Sequence, residues 1–112
     1  MKNLFNLSGK TALITGGGGL LGKKHAEAII EYGGRAILGD YNLKNSKIVA
    51  EELNGTYQDN CCYSEFLDVT DSESIKEVCN KYDMIDILIN NAAKNPKVKE
   101  NSDKEWFSAI EK

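Results

Sequence analysis

Short, continuous apolar runs alternate along the chain with amphipathic stretches of helical period. Ala12 to Ile14 is apolar without alternation, which predicts a strand buried on both faces. Four glycines, Gly16 to Gly19, end that strand. Beyond Gly22 an amphipathic helix is expected, with Ala26, Ile29 and Ile30 at helical spacing and Lys23, Lys24, Glu27 and Glu31 between them. Gly33-Gly34 stops it, a usual place for a left-handed cap. Arg35 to Asp40 reads as a second apolar strand that ends in an acid. Leu43 to Leu53 predicts a helix with Ile48, Val49 and Leu53 on one side and Gly55 just past its end. Tyr63 to Asp68 is the third strand expected, and Thr70 to Glu73 has the spacing of a capping box. Behind that box Ile75, Val78, Cys79 and Tyr82 predict a core-facing helix. Ile85 to Ile89 is a fourth strand, apolar on both faces. A loop with Pro96 follows, and then a last helix from Ser102, with Glu105 completing a second capping box and Trp106, Ala109 and Ile110 on its apolar side. The lead-in, Met1 to Lys10, offers Leu4, Phe5 and Leu7 to pack under the sheet.

Strands that alternate with helices imply a parallel sheet with helices on both faces. The fold class expected is α/β: a doubly wound, Rossmann-type sheet of about four strands, incomplete, over a single domain of residues 1–112. In such sheets a ligand lies at the carboxyl ends of the strands, where the strand order reverses. Gly16–Gly22, Asp40, Asp68 and Asn91 all fall at such ends.

Composition narrows the function classes. The chain has 112 residues, 41% hydrophobic and 28% charged, with a net charge of −3. No basic cluster stands out, so neither nucleic acid nor an anionic membrane is an expected partner. No apolar run approaches the length of a membrane span, and the N-terminus lacks the apolar centre of a signal peptide. Cys61, Cys62 and Cys79 are odd in number, which predicts reduced, packed thiols and a cytoplasmic location rather than a disulfide framework. The only histidine, His25, has no ligand spacing to them, so no metal site is expected.

The glycine stretch carries chemistry. Gly17, Gly19 and Gly22 satisfy G-x-G-x-x-G between a strand and a helix. In that arrangement the first glycine permits the tight turn, the second admits a pyrophosphate, and the third lets helix and strand pack closely. At the tip of the second strand, Asp40 can accept both hydroxyls of an adenosine ribose and repel a 2′-phosphate. Tyr41 follows it, not an arginine, so NAD is the cofactor expected and NADP is disfavoured. The alternative is that Asp40 is an acid capping the next helix. Lys23 and Lys24 oppose the helix dipole and either help hold a phosphate or are simply solvated.

The run Thr15 to Gly22, then Asp40, then Asp68-Val69, then Asn90-Asn91-Ala92-Ala93 resembles the N-terminal half of a short-chain dehydrogenase/reductase. The likeness covers essentially the whole chain, including Leu7-x-Gly9-Lys10. It implies that Gly16, Gly17, Gly18, Gly19, Leu20, Leu21 and Gly22 hold the cofactor pyrophosphate. It implies that Asp40 and Tyr41 flank the adenosine ribose and that Asp68 and Val69 contact the adenine. Asn91, Ala92 and Ala93 would steady the sheet and line the cofactor, with Ala93 standing where the family has glycine. It further implies hydride transfer between a nicotinamide cofactor and an alcohol or carbonyl of a small-molecule substrate, in a homo-oligomeric full-length protein.

Two departures qualify the likeness. Leu20 stands where T-G-x-x-x-G-x-G would have a glycine, so the spacing is the T-G-x-x-G-x-x-G of the extended, nucleotide-sugar-modifying branch. The Asn-Asn-Ala segment points to the other branch. In addition, no tyrosine of this chain is followed four residues later by lysine, the family's catalytic pair. No catalytic residue is therefore assigned; the chain is expected to be fragmentary, to supply the cofactor half only and to be inactive alone. An isomerase or lyase of the extended branch, and a nucleotide-binding remnant without catalysis, are the alternative functions.

Overall fold

A computed structural model describes residues 6–91. The elements are β1 (Thr11–Thr15), α1 (Leu20–Glu31), β2 (Arg35–Asp40), α2 (Leu43–Thr56), β3 (Cys62–Phe66), α3 (Ser72–Lys81) and β4 (Ile87–Asn90). All strands are parallel, in the order β3-β2-β1-β4. Chain order therefore runs outward from β1 to β3 and then reverses, through α3, to the other side of β1.

The apolar runs divide between two cores, as side chains alternate across a sheet. Ile14, Leu38 and Cys62 face α1 and α2, where they meet Ala26, Ile30, Val49, Ala50 and Leu53. Leu13 and Ile37 face the other way and meet Leu67, Val78 and the partly buried Tyr63, Ile75 and Tyr82. The sheet is thus the doubly wound, Rossmann-like one expected. Cys61 and Cys62 are packed, unpaired thiols.

The α1 terminus forms a Schellman motif. Gly33, at φ 96°, donates to the Ile30 carbonyl, and Gly34 donates to that of Ile29, both at 2.9 Å. Other boundaries differ from the sequence reading. The first helix starts at Leu20, so Gly22 is buried within its first turn rather than preceding it. The second runs on to Thr56 with Gly55 inside it, its last turn held by Tyr57 N–H on the Leu53 carbonyl at 2.9 Å. At the third helix the cap is Asp71, accepting from Glu73 N–H at 3.0 Å, because the Thr70 hydroxyl is committed to Asp68 Oδ1 at 2.6 Å. β3 begins at Cys62 and ends at Phe66, since the Asp68 amide turns to Ser74 Oγ at 2.9 Å. β4 begins at Ile87, because Asp86 exchanges backbone and side-chain bonds with Thr11 instead.

Two residues assigned to apolar faces are exposed. Ile48 and Cys79 each stand one position off their helix's buried stripe, Ser46-Val49-Ala50-Leu53 and Ser74-Val78. β4 is the outermost strand on its side among the described residues, with Leu88 55% exposed. Leu4, Phe5 and the helix expected from Ser102 lie outside the described residues.

Candidate functional site

The carboxyl ends of β1, β2 and β3 surround one cleft. The chain leaves β1 through Gly16, whose φ of 67° is the left-handed conformation that glycine tolerates. The Gly16 and Gly17 amides both donate to the Gly39 carbonyl, at 2.7 and 3.3 Å, stitching the loop to the end of β2. A Cβ on Gly17 would lie 2.6 Å from that of Leu38, and one on Gly22 would lie 2.7 Å from both the Gly16 oxygen and the Gly17 Cα. Gly18 is wedged between Asp40 Oδ2 and the Asn45 Cβ. Two of the roles expected for the glycines therefore change. Gly16, not Gly17, makes the turn, and Gly22 packs on the loop rather than on the strand. Gly19 is different: a Cβ there would meet nothing closer than 3.7 Å. No contact among the described residues demands glycine at that position.

Gly19 is also the N-cap of α1, which has no capping side chain and no acid in its first turn. Asn42 caps α2 and Asp71 caps α3. Lys23, one of the two lysines weighed as phosphate ligands, turns instead to Glu52 of α2 at 3.5 Å, and Lys24 is exposed.

Asp40 is fixed from two sides. Its Oδ2 accepts from Gly18 N–H and its Oδ1 from Asn42 N–H, both at 2.8 Å. The helix-cap alternative fails, because Asn42 Oδ1 accepts the capping bond from Asn45 N–H at 3.2 Å. A carboxylate offers about four lone-pair sites, so two bonds leave acceptor capacity on Asp40. Across the cleft, Asp68 Oδ1 accepts from the amide and hydroxyl of Thr70, and Val69 packs on the second core.

The cleft encloses about 360 Å³ and is lined by Gly16, Gly18, Gly19, Asp40, Tyr41, Asn45, Leu67, Asp68 and Val69. Gly17, Leu20, Leu21, Gly22 and Asn91 are not in its lining, and Ala92 and Ala93 lie outside the described residues. Leu20 and Leu21 are exposed on the first turn of α1. Asn91 is a brace: its amide N–H donates to Thr15 Oγ1 at 2.9 Å and its Nδ2 to the Gly16 carbonyl at 3.3 Å. Asn45 and Leu67 were missed in the sequence. The signal for Asn45 was its place in the first turn of the helix that follows Asp40.

The groups whose proton affinity the fold moves most stand away from this cleft. Burial, with the neighbouring Cys61, pushes the Cys62 thiol up to about 12. Burial and the Glu65 carboxylate, which accepts its hydroxyl at 2.6 Å, raise Tyr82. Among the described residues no cluster of three histidine, cysteine, aspartate or glutamate side chains could hold a metal ion. Nor is any helix among them long and apolar enough to cross a membrane.

A family profile described as short chain dehydrogenase matches residues 10–111. The chain belongs to the short-chain dehydrogenase family. This short-chain dehydrogenase sequence is 41% identical to a sorbitol dehydrogenase of Cereibacter sphaeroides over 91 residues, 78% of this chain and 34% of the relative. Its fold is similar to that of Pseudomonas aeruginosa RhlG in complex with NADP, at TM-score 0.72 and 27% identity, covering 86% of this chain and 39% of that one. It is similar also to an NAD+-bound xylitol dehydrogenase, at TM-score 0.68 and 28% identity, covering 79% and 35%. The chain thus spans about a third of the length of these relatives.

Proposed function

We propose that this chain is the cofactor-binding part of an oxidoreductase that uses NAD to transfer hydride to or from an alcohol or carbonyl substrate. The observation that carries the reading is the placing of Asp40. Its carboxylate lines the cleft at the end of β2, held by the Gly18 and Asn42 amides with acceptor capacity remaining. A carboxylate so held favours the two hydroxyls of an adenosine ribose and opposes a phosphate at the 2′ position.

The other residues fit a dinucleotide. The uncapped N-terminus of α1 and the unobstructed Gly19 suit a pyrophosphate, whose charge the helix end favours. Leu67 and Val69 give the far wall an apolar surface for a base, with Asp68 between them. When bound, the nicotinamide would supply the hydride acceptor or donor; this chain's residues bind and orient the other half of the molecule. Solved relatives carry either NAD+ or NADP, so the preference for NAD rests on Asp40. On the family likeness alone, the proposal extends to a small-molecule substrate and a cytoplasmic, homo-oligomeric full-length protein, with the catalytic residues outside this chain.

Calorimetric titration of the chain with NAD+ and NADP+ tests this reading. We expect NAD+ to bind about tenfold or more tightly, a difference of about 1.4 kcal/mol. Equal affinity, or tighter NADP+ binding, would contradict it.

A further inference from the structure

We infer that Asn54-Gly55, at the end of α2 remote from the nucleotide cleft, is a site of spontaneous deamidation that the fold holds in check. An asparagine side chain is attacked by the backbone nitrogen of the next residue, and glycine is the residue that hinders this attack least, having no side chain and the widest backbone freedom. The Gly55 nitrogen would bond to the Asn54 Cγ and lose its proton to water, while the Cγ–Nδ2 bond breaks and ammonia leaves. Water then opens the resulting succinimide at either carbonyl, leaving aspartate or isoaspartate.

Three observations bear on the site. Gly55 lies within α2, yet a Cβ there would meet nothing within 4 Å among the described residues, so no packing contact among them requires glycine. It is exposed, as are the residues from it to the end of the helix. The Asn54 side chain, by contrast, is bonded through both its oxygen and its nitrogen to the start of β3. Its Oδ1 accepts from Cys61 N–H at 3.0 Å and Cys62 N–H at 2.9 Å, and its Nδ2 donates to the Cys62 carbonyl at 2.9 Å. These bonds hold the carboxamide on the start of β3, so it must leave them before it can turn to the backbone nitrogen, and the helical turn keeps that nitrogen in its own hydrogen-bonded ring. Reaction thus requires the last turn of α2 to open, and helix ends are among the first parts of a fold to do so. Either product removes the donor to the Cys62 carbonyl. Isoaspartate also lengthens the backbone within the turn and disrupts it.

The test holds the full chain at mildly alkaline pH and follows Asn54 by peptide mapping that separates asparagine, aspartate and isoaspartate. Folded chain, chain unfolded in urea, and the Gly55→Ala variant are compared. We expect conversion at Asn54 ahead of Asn42, Asn45 and Asn60, about tenfold or more acceleration on unfolding, and about tenfold or more slowing by Gly55→Ala. Conversion at the same rate in Gly55→Ala, or no faster at Asn54 than at the other three, would overturn the site. Equal rates in folded and unfolded chain would overturn its control by the fold.

Discussion

Asp40 Oδ2 accepts the Gly18 amide at 2.8 Å, so the acid that ends β2 and the glycine loop that follows β1 are one joined unit. On the proposed function, ligand recognition and loop geometry are coupled through a single carboxylate. Asp40→Ala is expected to weaken NAD binding and also to destabilise the fold by about 1–3 kcal/mol, because two amides lose their acceptor. Urea unfolding beside an NAD titration checks both. Unchanged stability would show that the Gly18 bond contributes nothing.

The glycines of the loop after β1 separate into those held tightly, such as Gly17, and Gly19, which has room. Gly17→Ala puts a Cβ 2.6 Å from that of Leu38 and should destabilise by about 1–3 kcal/mol. Gly19→Ala has room and should cost less than about 1 kcal/mol, the scale of an N-cap change. Its effect should fall on nucleotide affinity, lowered about tenfold or more by the methyl group standing where the pyrophosphate approaches. Thermal unfolding and titration of the two variants should rank them in opposite orders.

Thr15 joins β1 to the end of β4. Its hydroxyl donates to Asn90 Oδ1 at 3.1 Å and accepts from Asn91 N–H at 2.9 Å. Thr15→Val keeps the shape and deletes both bonds, with an expected loss of about 1–3 kcal/mol. Amide exchange should quicken at Asn91 more than in β2, and equal protection at Asn91 would contradict the bracing role.

The Cys62 thiol, pushed up to about 12 by burial and by Cys61, stays neutral in the folded chain where an unfolded one would ionise near its ordinary value of 9.0. Its contribution to stability is therefore full below the unfolded value and is lost as pH rises through that window towards 12. Below it, a thiol alkylating agent should label exposed Cys79 and spare buried Cys61 and Cys62 until the chain is unfolded. Labelling followed by mass spectrometry checks this; early reaction at Cys62 would contradict it.

Much of this arrangement was legible in the residues. β2 was bounded correctly, Arg35–Asp40, because Gly33-Gly34 punctuates one end and an acid the other. The sheet class followed from alternation alone, since helical and strand periods cannot be exchanged. Two helix boundaries differ where a glycine was placed outside the helix, before its start at Gly22 and past its end at Gly55. Gly22 and Gly55 both lie inside helices, the first because only glycine fits against Gly16 and Gly17. At the site, the sequence pointed to Asp40 but not to what holds it. The bonds from Gly18 and Asn42 come from backbone amides, which look alike at every position until a turn aims them. Asn45 entered the cleft for the same kind of reason, since its place depends on how α2 leaves Asn42.

On the proposed function, NAD occupies the cleft between the glycine loop, Asp40 and Val69. The most direct measurement is the amide nuclear magnetic resonance spectrum of the labelled chain, recorded during titration with NAD+. Binding there should shift Gly18, Gly19, Tyr41, Asn45, Asp68 and Val69, with little change at Asn54, Lys81 or Asp83, and weaker shifts at equal NADP+. No shifts, or shifts centred on that distant set, would contradict it.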